Sequence, residues 1–369
     1  MRSEGKTAGA LNRANANAAE APAATSLIDA IEQALVLQAP EWAGTQIQAL
    51  PDAGLVHAHL RMVGTGLLAR VPKQSQLGLS PAEGLAYEAA CFEKAGPSGH
   101  VPQLHAVLPP SEHLPRGALL VEEIVGRAAR LPDDLPALMQ ALAQIHALPL
   151  PCENMRSPLR NAADPLADLQ AEIAAQAQHV HDAGLTPTAA GAIEDQLQRF
   201  QRLCAASARP PRSLISFDAH PGNFILRHDG KAILVDLEKG RYAAASLDLA
   251  HATLYTSTTW DISGRYALSV EQVADAWTQW LSARGPQGRA DVPWHLPLRR
   301  AMWLWSITWC AMWRVQSGRA RGLPADAQAD WSEALSEPAL VNHVRGRVDH
   351  YLEQDTILRV IAEFDALGG

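Results

Sequence analysis

One island of strand-forming sequence constrains this chain more than any other feature. SLISFDAHPGNFIL, the turn RHDGK and AILVDLEKG occupy residues 213–240, yet the segments around them repeat their apolar residues at the helical period of 3.6. Before the island come DDLPALMQALAQIHAL, DPLADLQAEIAAQAQHVHDAG and TPTAAGAIEDQLQRFQRLCAA, bounded by Pro, Gly or Asp-Pro. After it come LDLAHATLYTST, SVEQVADAWTQWLSA and LRRAMWLWSITWCAMWRVQSG, with a last long helix expected from Pro338. Strands set inside a helical half exclude a plain helix bundle.

The amino-terminal part has a different texture. SLIDAIEQALVL reads as a helix capped by Ser26 and ended by Pro40. IQALPDAGLVHAHLRMVGTGLLARVPK offers strand-forming runs divided by Gly54 and by Gly64 and Gly66, a small antiparallel meander with a tight hairpin at VGTG. Ser80, Pro81 and Glu83 then supply the cap, first turn and capping box of a helix, and VPQLHAVLPP and GALLVEEIVG read as two more strands. The expected plan is α+β and bilobal: a disordered tail at 1–25, an N-terminal lobe at 26–125 built on a small antiparallel sheet, and a mainly helical C-terminal lobe at 126–369. Gly54 and the LVH after it are candidates for a loop over bound phosphates, without a G-x-G-x-x-G pattern.

Whole-chain properties narrow the function classes. At 369 residues there is room for two lobes and a shared cleft. A net charge of −8 without any Lys/Arg run argues against a nucleic-acid groove and suits cationic or neutral substrates. Cys91, Cys152, Cys204 and Cys310 are widely spaced, which suggests neither a zinc site nor a disulfide framework and fits a reducing cytoplasm. Residues 1–25 lack the apolar stretch of a secretory signal. The longest uncharged apolar run, AMWLWSITWCAMW, is shorter than the ~20 residues that span a bilayer, so a buried helix and no membrane partner are expected. His179 and His181 face different ways on a helix, and no histidine metal site is expected.

Phosphoryl transfer from ATP needs oxygen ligands for Mg2+, a base that orients the attacking hydroxyl, and a positive side chain on the phosphates. Asp218 and Asn223, on one loop, can supply a carboxylate at the nucleophile and an amide oxygen on the metal, and strand AILVD ends in Asp236, a carboxylate that can chelate the metal. ISFDAHPGNFIL followed by ILVDLEKGRYAAASLDLA resembles the aminoglycoside phosphotransferase and choline kinase family, the small-molecule branch of the protein-kinase-like fold. That family writes His-Gly-Asp, His-Pro-Gly-Asn, Ile-Asp-Trp-Glu and Asp-Leu-Ala in order. The equivalents here are Ser216-Phe217-Asp218, His220-Pro221-Gly222-Asn223, Val235-Asp236-Leu237-Glu238 and Asp248-Leu249-Ala250. Upstream, LLARVP resembles the phosphate-contacting strand, with Arg70 in its Lys/Arg position, and Glu88 falls where a helix offers that cation a carboxylate. ALLVEEIVG resembles the interlobe hinge, and LAQIHALPLP a helix end of the Leu-x-x-Leu-His type. The resemblance covers residues 45–260.

It implies a bilobal protein-kinase-like fold and a kinase that uses ATP and Mg2+ to phosphorylate a hydroxyl of a small molecule, of aminoglycoside, choline or ethanolamine, sugar or amino-alcohol type. It implies Asp218 as catalytic base, Asn223 and Asp236 as metal ligands, Arg70 steadied by Glu88 on the phosphates, and adenine read by backbone groups between Glu122 and Ile124. Ser216 stands where the family has His; Ser keeps a donor and an acceptor but loses reach, and Asp248 resembles the acid that receives loop N–H groups. Strand alternation puts Arg70 and Pro72 on one face and Lys73 on the other, which favours Arg70. Trp305, Trp309 and Trp313 share a helical stripe, with Trp303 off it; there an aromatic wall for a quaternary ammonium competes with plain helix packing. Asp261 and Trp309 are the candidate acceptor contacts. Taken singly, Asp218, Asn223 and Asp236 also suit ordinary turns and strand ends. A nucleotide-binding regulatory module without turnover is the alternative function, and the oligomeric state is left open.

Overall fold

Along the strand HAHLRM, successive side chains part to opposite faces, and the first lobe follows from where each face goes. The computed structural model describes residues 24–51, 56–73, 77–261, 264–321 and 338–368, the side chains of 24–26, 318–321 and 340 excepted. Strands β1 (Ile47–Ala49), β2 (His57–Met62), β3 (Leu67–Pro72), β4 (Leu104–Leu108) and β5 (Ala118–Glu122) form one antiparallel sheet in the order β1, β2, β3, β5, β4. One face carries Leu60, Met62, Ala69 and Leu120 into a core with Ile31 and Leu35 of α1 (Ala24–Gln38). The other face turns His57, His59 and Arg70 to a cleft; in register, His59 stands opposite Arg70. Gly64 and Gly66 have φ of 80° and 72°, the positive values that the hairpin at VGTG demands.

Helix α2 (Pro81–Ala95) begins with the expected capping box, Ser80 and Glu83 exchanging hydrogen bonds. Helix α1 differs: it begins at Ala24, so Ser26 lies inside it rather than capping it, because residues before Ser26 join the helix. Residues 1–23 of the expected tail, and Gly54, lie outside the described residues.

The second lobe contains β6 (Arg127–Ala128), α3 (Leu135–His146), α4 (Pro165–Ala177), α5 (Pro187–Ala205), β7 (Ser213–Ile215), β8 (Phe224–Leu226), β9 (Ala232–Leu234) and β10 (Arg241–Ala243). Helices α6 (Ala245–Thr253), α7 (Tyr255–Thr258), α8 (Val270–Arg284), α9 (His295–Arg321), α10 (Pro338–Tyr351) and α11 (Gln354–Leu367) follow. The strand island divides in two. β7 pairs with β10, while β8 and β9 form a hairpin that β6 extends. Phe217, at φ 56°, and a 3-10 turn at Pro221–Asn223 interrupt the run between β7 and β8. The single long helix expected from Pro338 is also two, because Glu353 is extended, at φ −66° and ψ 137°. Helices α4, α5, α6 and α9 to α11 enclose a core around Met302, Ile307 and Phe364. The Trp-rich run thus belongs to a buried helix, and no helix among the described residues is long and apolar enough to cross a membrane.

Candidate active site

The loop between β7 and β8 is shaped from behind by one acid. Asp248, in the first turn of α6 and fully buried, accepts the Ser216 and Phe217 N–H groups, each at 2.8 Å. His146 Nε2 donates to the same carboxylate at 3.2 Å, and Trp280 Nε1 donates to His146 Nδ1 at 3.0 Å, which places the imidazole proton on Nε2. Ser216 Oγ accepts the Asp218 N–H at 3.1 Å. Phe217 is the one non-glycine residue with positive φ among the described residues. Its ring lies 3.7 Å beneath the Arg241 guanidinium and meets the Trp305 edge at 5.2 Å, so packing and two hydrogen bonds hold a conformation that costs about 1–3 kcal/mol. Asn223 Nδ2 closes the loop by donating to the Asp218 carbonyl at 2.8 Å. Gly222 lets the Asp261 carboxylate lie directly against the loop; a Cβ there would displace that side chain.

Three distant segments meet this loop. Arg70 of β3, buried, ion-pairs with Asp236 just beyond β9. Its Nε is 3.7 Å from Glu88 of α2, whose closer partner is His57 Nε2 at 2.8 Å. Glu238 Oε2 lies 3.2 Å from His57 Nδ1 and 3.6 Å from Arg70, and hydrogen-bonds to neither. Asp218 receives Lys239 Nζ at 2.7 Å. Tyr87 of α2 ties these parts together: its hydroxyl donates to the Gly240 carbonyl at 2.7 Å and accepts the Arg160 N–H at 3.1 Å.

Charge and burial compete here. Burial is the largest effect and acts to raise the Asp218 carboxyl, but the Lys239 ammonium, His251 and His220 together outweigh it and hold the group below the usual carboxylate range. Burial acts the same way at Asp236, where Arg70 leads the opposing effect and the carboxyl again falls well below its ordinary value. Glu238 goes the other way: burial, then the nearby Asp236 charge, push it up to about 8.

Arg70, Asp218, Asn223, Asp236, Ile124 and the acceptor candidates Asp261 and Trp309 line one cavity of about 1510 Å³. Ser216 and Asp248 lie behind the loop, outside that lining. At the hinge, the Glu122 N–H is taken by Gln103 O and the Glu123 N–H by Gly66 O, both at 2.8 Å. Of Glu122, Glu123 and Ile124, Ile124 alone has an N–H that makes no hydrogen bond among the described residues. The Glu122 side chain pairs with Arg227. The tryptophan stripe divides: Trp305 and Trp309 face the cavity with Trp260, while Trp313 and Trp303 enter the core. A spacing of four residues drifts about 40° per step around a helix, enough over two steps to carry Trp313 off the cavity. Sequence reasoning gave no site role to His57, Lys239 and His146. Lys239 follows the quoted Glu238, and His146 sits in the quoted LAQIHAL, but neither spacing says which way a side chain points.

A model of the phosphotransferase enzyme family matches residues 61–291, more than half of the chain. The chain belongs to that family. Among solved structures, this phosphotransferase is similar to a choline/ethanolamine kinase family protein from Mesorhizobium loti, at 15% identity over 93% of this chain and 100% of that one, with a TM-score of 0.54. It is also similar to an ethanolamine kinase from Plasmodium vivax (11% identity, 90% and 93% coverage, TM-score 0.57). The GDP complex of aminoglycoside 2'-phosphotransferase-IIIa gives 18% identity, 88% and 99% coverage, and a TM-score of 0.55. At these identities the likeness establishes the kinase-like fold. No curated protein sequence gives a significant match. The donor set of this phosphotransferase suits Mg2+: with its Nδ2 turned to the Asp218 carbonyl, Asn223 keeps Oδ1 for a metal, and Asp236 adds carboxylate oxygen on the same cavity.

Proposed function

We propose that the protein transfers the γ-phosphoryl group of ATP to the hydroxyl of a small molecule, of amino-alcohol, aminoglycoside or sugar type. The observation that carries this reading is the convergence of Arg70, Asp236 and Asp218, from three separate segments, on one cavity. The Asp218 carboxylate, kept ionised by Lys239 together with His251 and His220, accepts the hydroxyl's hydrogen bond and takes its proton as the bond to phosphorus forms. Arg70, with Glu88 and His57 behind it, turns from Asp236 to the donor phosphates. The Ile124 N–H receives the adenine edge. Asn223 and Asp236 would hold Mg2+, which when bound offsets the charge of the phosphates. The acceptor lies toward Trp260, Trp309 and Asp261, and the named choline, ethanolamine and aminoglycoside kinases among the structural neighbours support that class.

Thermal unfolding with ATP, with and without Mg2+, tests the donor side: at a hundredfold excess over Kd a native-state ligand adds about 2.7 kcal/mol of stability. No Mg2+-dependent shift would end the kinase reading. On a panel of amino-alcohols, sugars and aminoglycosides, Asp218→Asn is expected to cut transfer by at least ~100-fold while nucleotide binding persists. Binding without transfer by the unaltered protein would favour the regulatory module.

A further inference from the structure

Resting on the phosphotransferase reading, we propose that Lys239 is a catalytic residue whose ammonium passes from Asp218 to the phosphoryl group during transfer. Lys239 Nζ stands 2.7 Å from Asp218 Oδ2, in an ion pair whose side chains are only 19% and 13% exposed. It lies in the field of Asp236 as well as that of Asp218, and all three line the same cavity as Asn223. In-line attack puts the phosphorus between the attacking oxygen, which Asp218 orients, and the leaving oxygen on the metal side, toward Asp236. The ammonium borders that space.

The backbone that presents Lys239 is fixed. The neighbouring Gly240 carbonyl accepts the Tyr87 hydroxyl, and a Cβ on Gly240 would approach Cys91 Sγ to 3.0 Å, so α2 packs directly against this turn. The side chain beyond is a flexible four-carbon stem ending in a compact charge, suited to a short transfer between two anions.

The charge changes drive that transfer. A lone pair on the acceptor oxygen forms the new O–P bond as the bond from phosphorus to the β-phosphate oxygen breaks, its electron pair leaving with ADP. The hydroxyl proton goes to Asp218 Oδ1, which takes no hydrogen bond among the described residues. Asp218 then loses its charge and its hold on the ammonium while the phosphoryl oxygens remain charged. Lys239 keeps its proton throughout and follows the negative charge.

The test compares ADP with ADP plus aluminium fluoride, a planar stand-in for the phosphoryl in flight, in the full chain with Mg2+. Fluoride complexation is expected to tighten ADP binding by about a hundredfold in the unaltered protein. Lys239→Gln is expected to remove about tenfold of that gain, with Mg·ATP binding unchanged as the sign of an intact fold; Lys239→Met serves if the Gln variant does not fold. Lys239→Arg is expected to restore most of it. In an Asp218→Asn background, Lys239→Gln is expected to weaken the analogue further, whereas no added loss would make Lys239 a mere support for Asp218 and overturn the proposal. An undiminished gain in Lys239→Gln would overturn it too. Failure of the unaltered chain to bind Mg·ATP sinks the phosphotransferase reading itself, a result distinct from either.

Discussion

Asp248 has no contact with solvent, and its charge is tolerable there because two backbone N–H groups and His146 face it. Asp248→Ala strands those donors and releases Phe217 from its positive φ, so we expect a loss of about 3–5 kcal/mol in urea unfolding together with most of the activity. Ser216→His, at a residue 1% exposed, has to displace its neighbours and is expected to cost about 1–3 kcal/mol. The opposite ranking would mean that the loop is supported from elsewhere. At this scale the sequence showed which residue types cluster along the chain but not their pairings. Asp218, Asn223 and Asp236 were legible because a loop and a strand end carry them at short separation. That Arg70 reaches Asp236 more closely than Glu88 depends on side-chain directions across the cleft, which no spacing encodes.

β6 illustrates a limit at the level of elements. Two residues show no alternation, so the strand is silent in the sequence, and it exists because Arg127 and Ala128 pair with Leu226 and Ile225. Gly126 makes the approach possible: a Cβ there would overlap the Leu226 carbonyl and come within 2.8 Å of Ile225 Cγ2. Gly126→Ala is expected to cost about 1–3 kcal/mol, with faster amide exchange in β8; unchanged exchange and stability would show that the pairing tolerates the methyl. Longer elements were legible, since α2, the hairpin at Gly64 and the helices α3 to α5 carry caps and periodic apolar faces. The strand island was half legible: its β propensity is real, but a positive φ at Phe217 is a tertiary decision, imposed by Asp248 and Arg241 from elsewhere in the chain.

Across the whole molecule, buried titratable groups set an optimum pH for stability. His251 and His295 are held to about 4 by burial, against an ordinary 6.5, so between pH 4 and 6.5 the native chain binds fewer protons than the unfolded one. Stability therefore falls as pH drops through that window, by up to about 1.4 kcal/mol per pH unit for each group. Glu238, at about 8 against an ordinary 4.5, binds its proton more firmly in the native chain, and its contribution is lost as pH rises from 4.5 to 8. For these three groups the sum peaks near the histidine value of 6.5. Urea midpoints across pH check it: His295→Leu is expected to flatten the acid limb and Glu238→Gln the alkaline one, and limbs unmoved by either variant would assign the optimum to other groups. The fold's gross plan was legible because each lobe has its own periodic texture. The buried charge balance was not, because it arises where lobes of distant sequence meet.

Tyr87 gives that meeting a temporal meaning. In protein kinases, repositioning of the helix that carries the conserved Glu switches activity. Here the corresponding helix is fastened through one hydroxyl to Gly240 on one side and Arg160 on the other. Tyr87→Phe is expected to quicken amide exchange along α2, and exchange left as it was would place the fastening elsewhere. A helix so fastened has its position tied to the turn that follows Lys239 and to the segment that leads into α4.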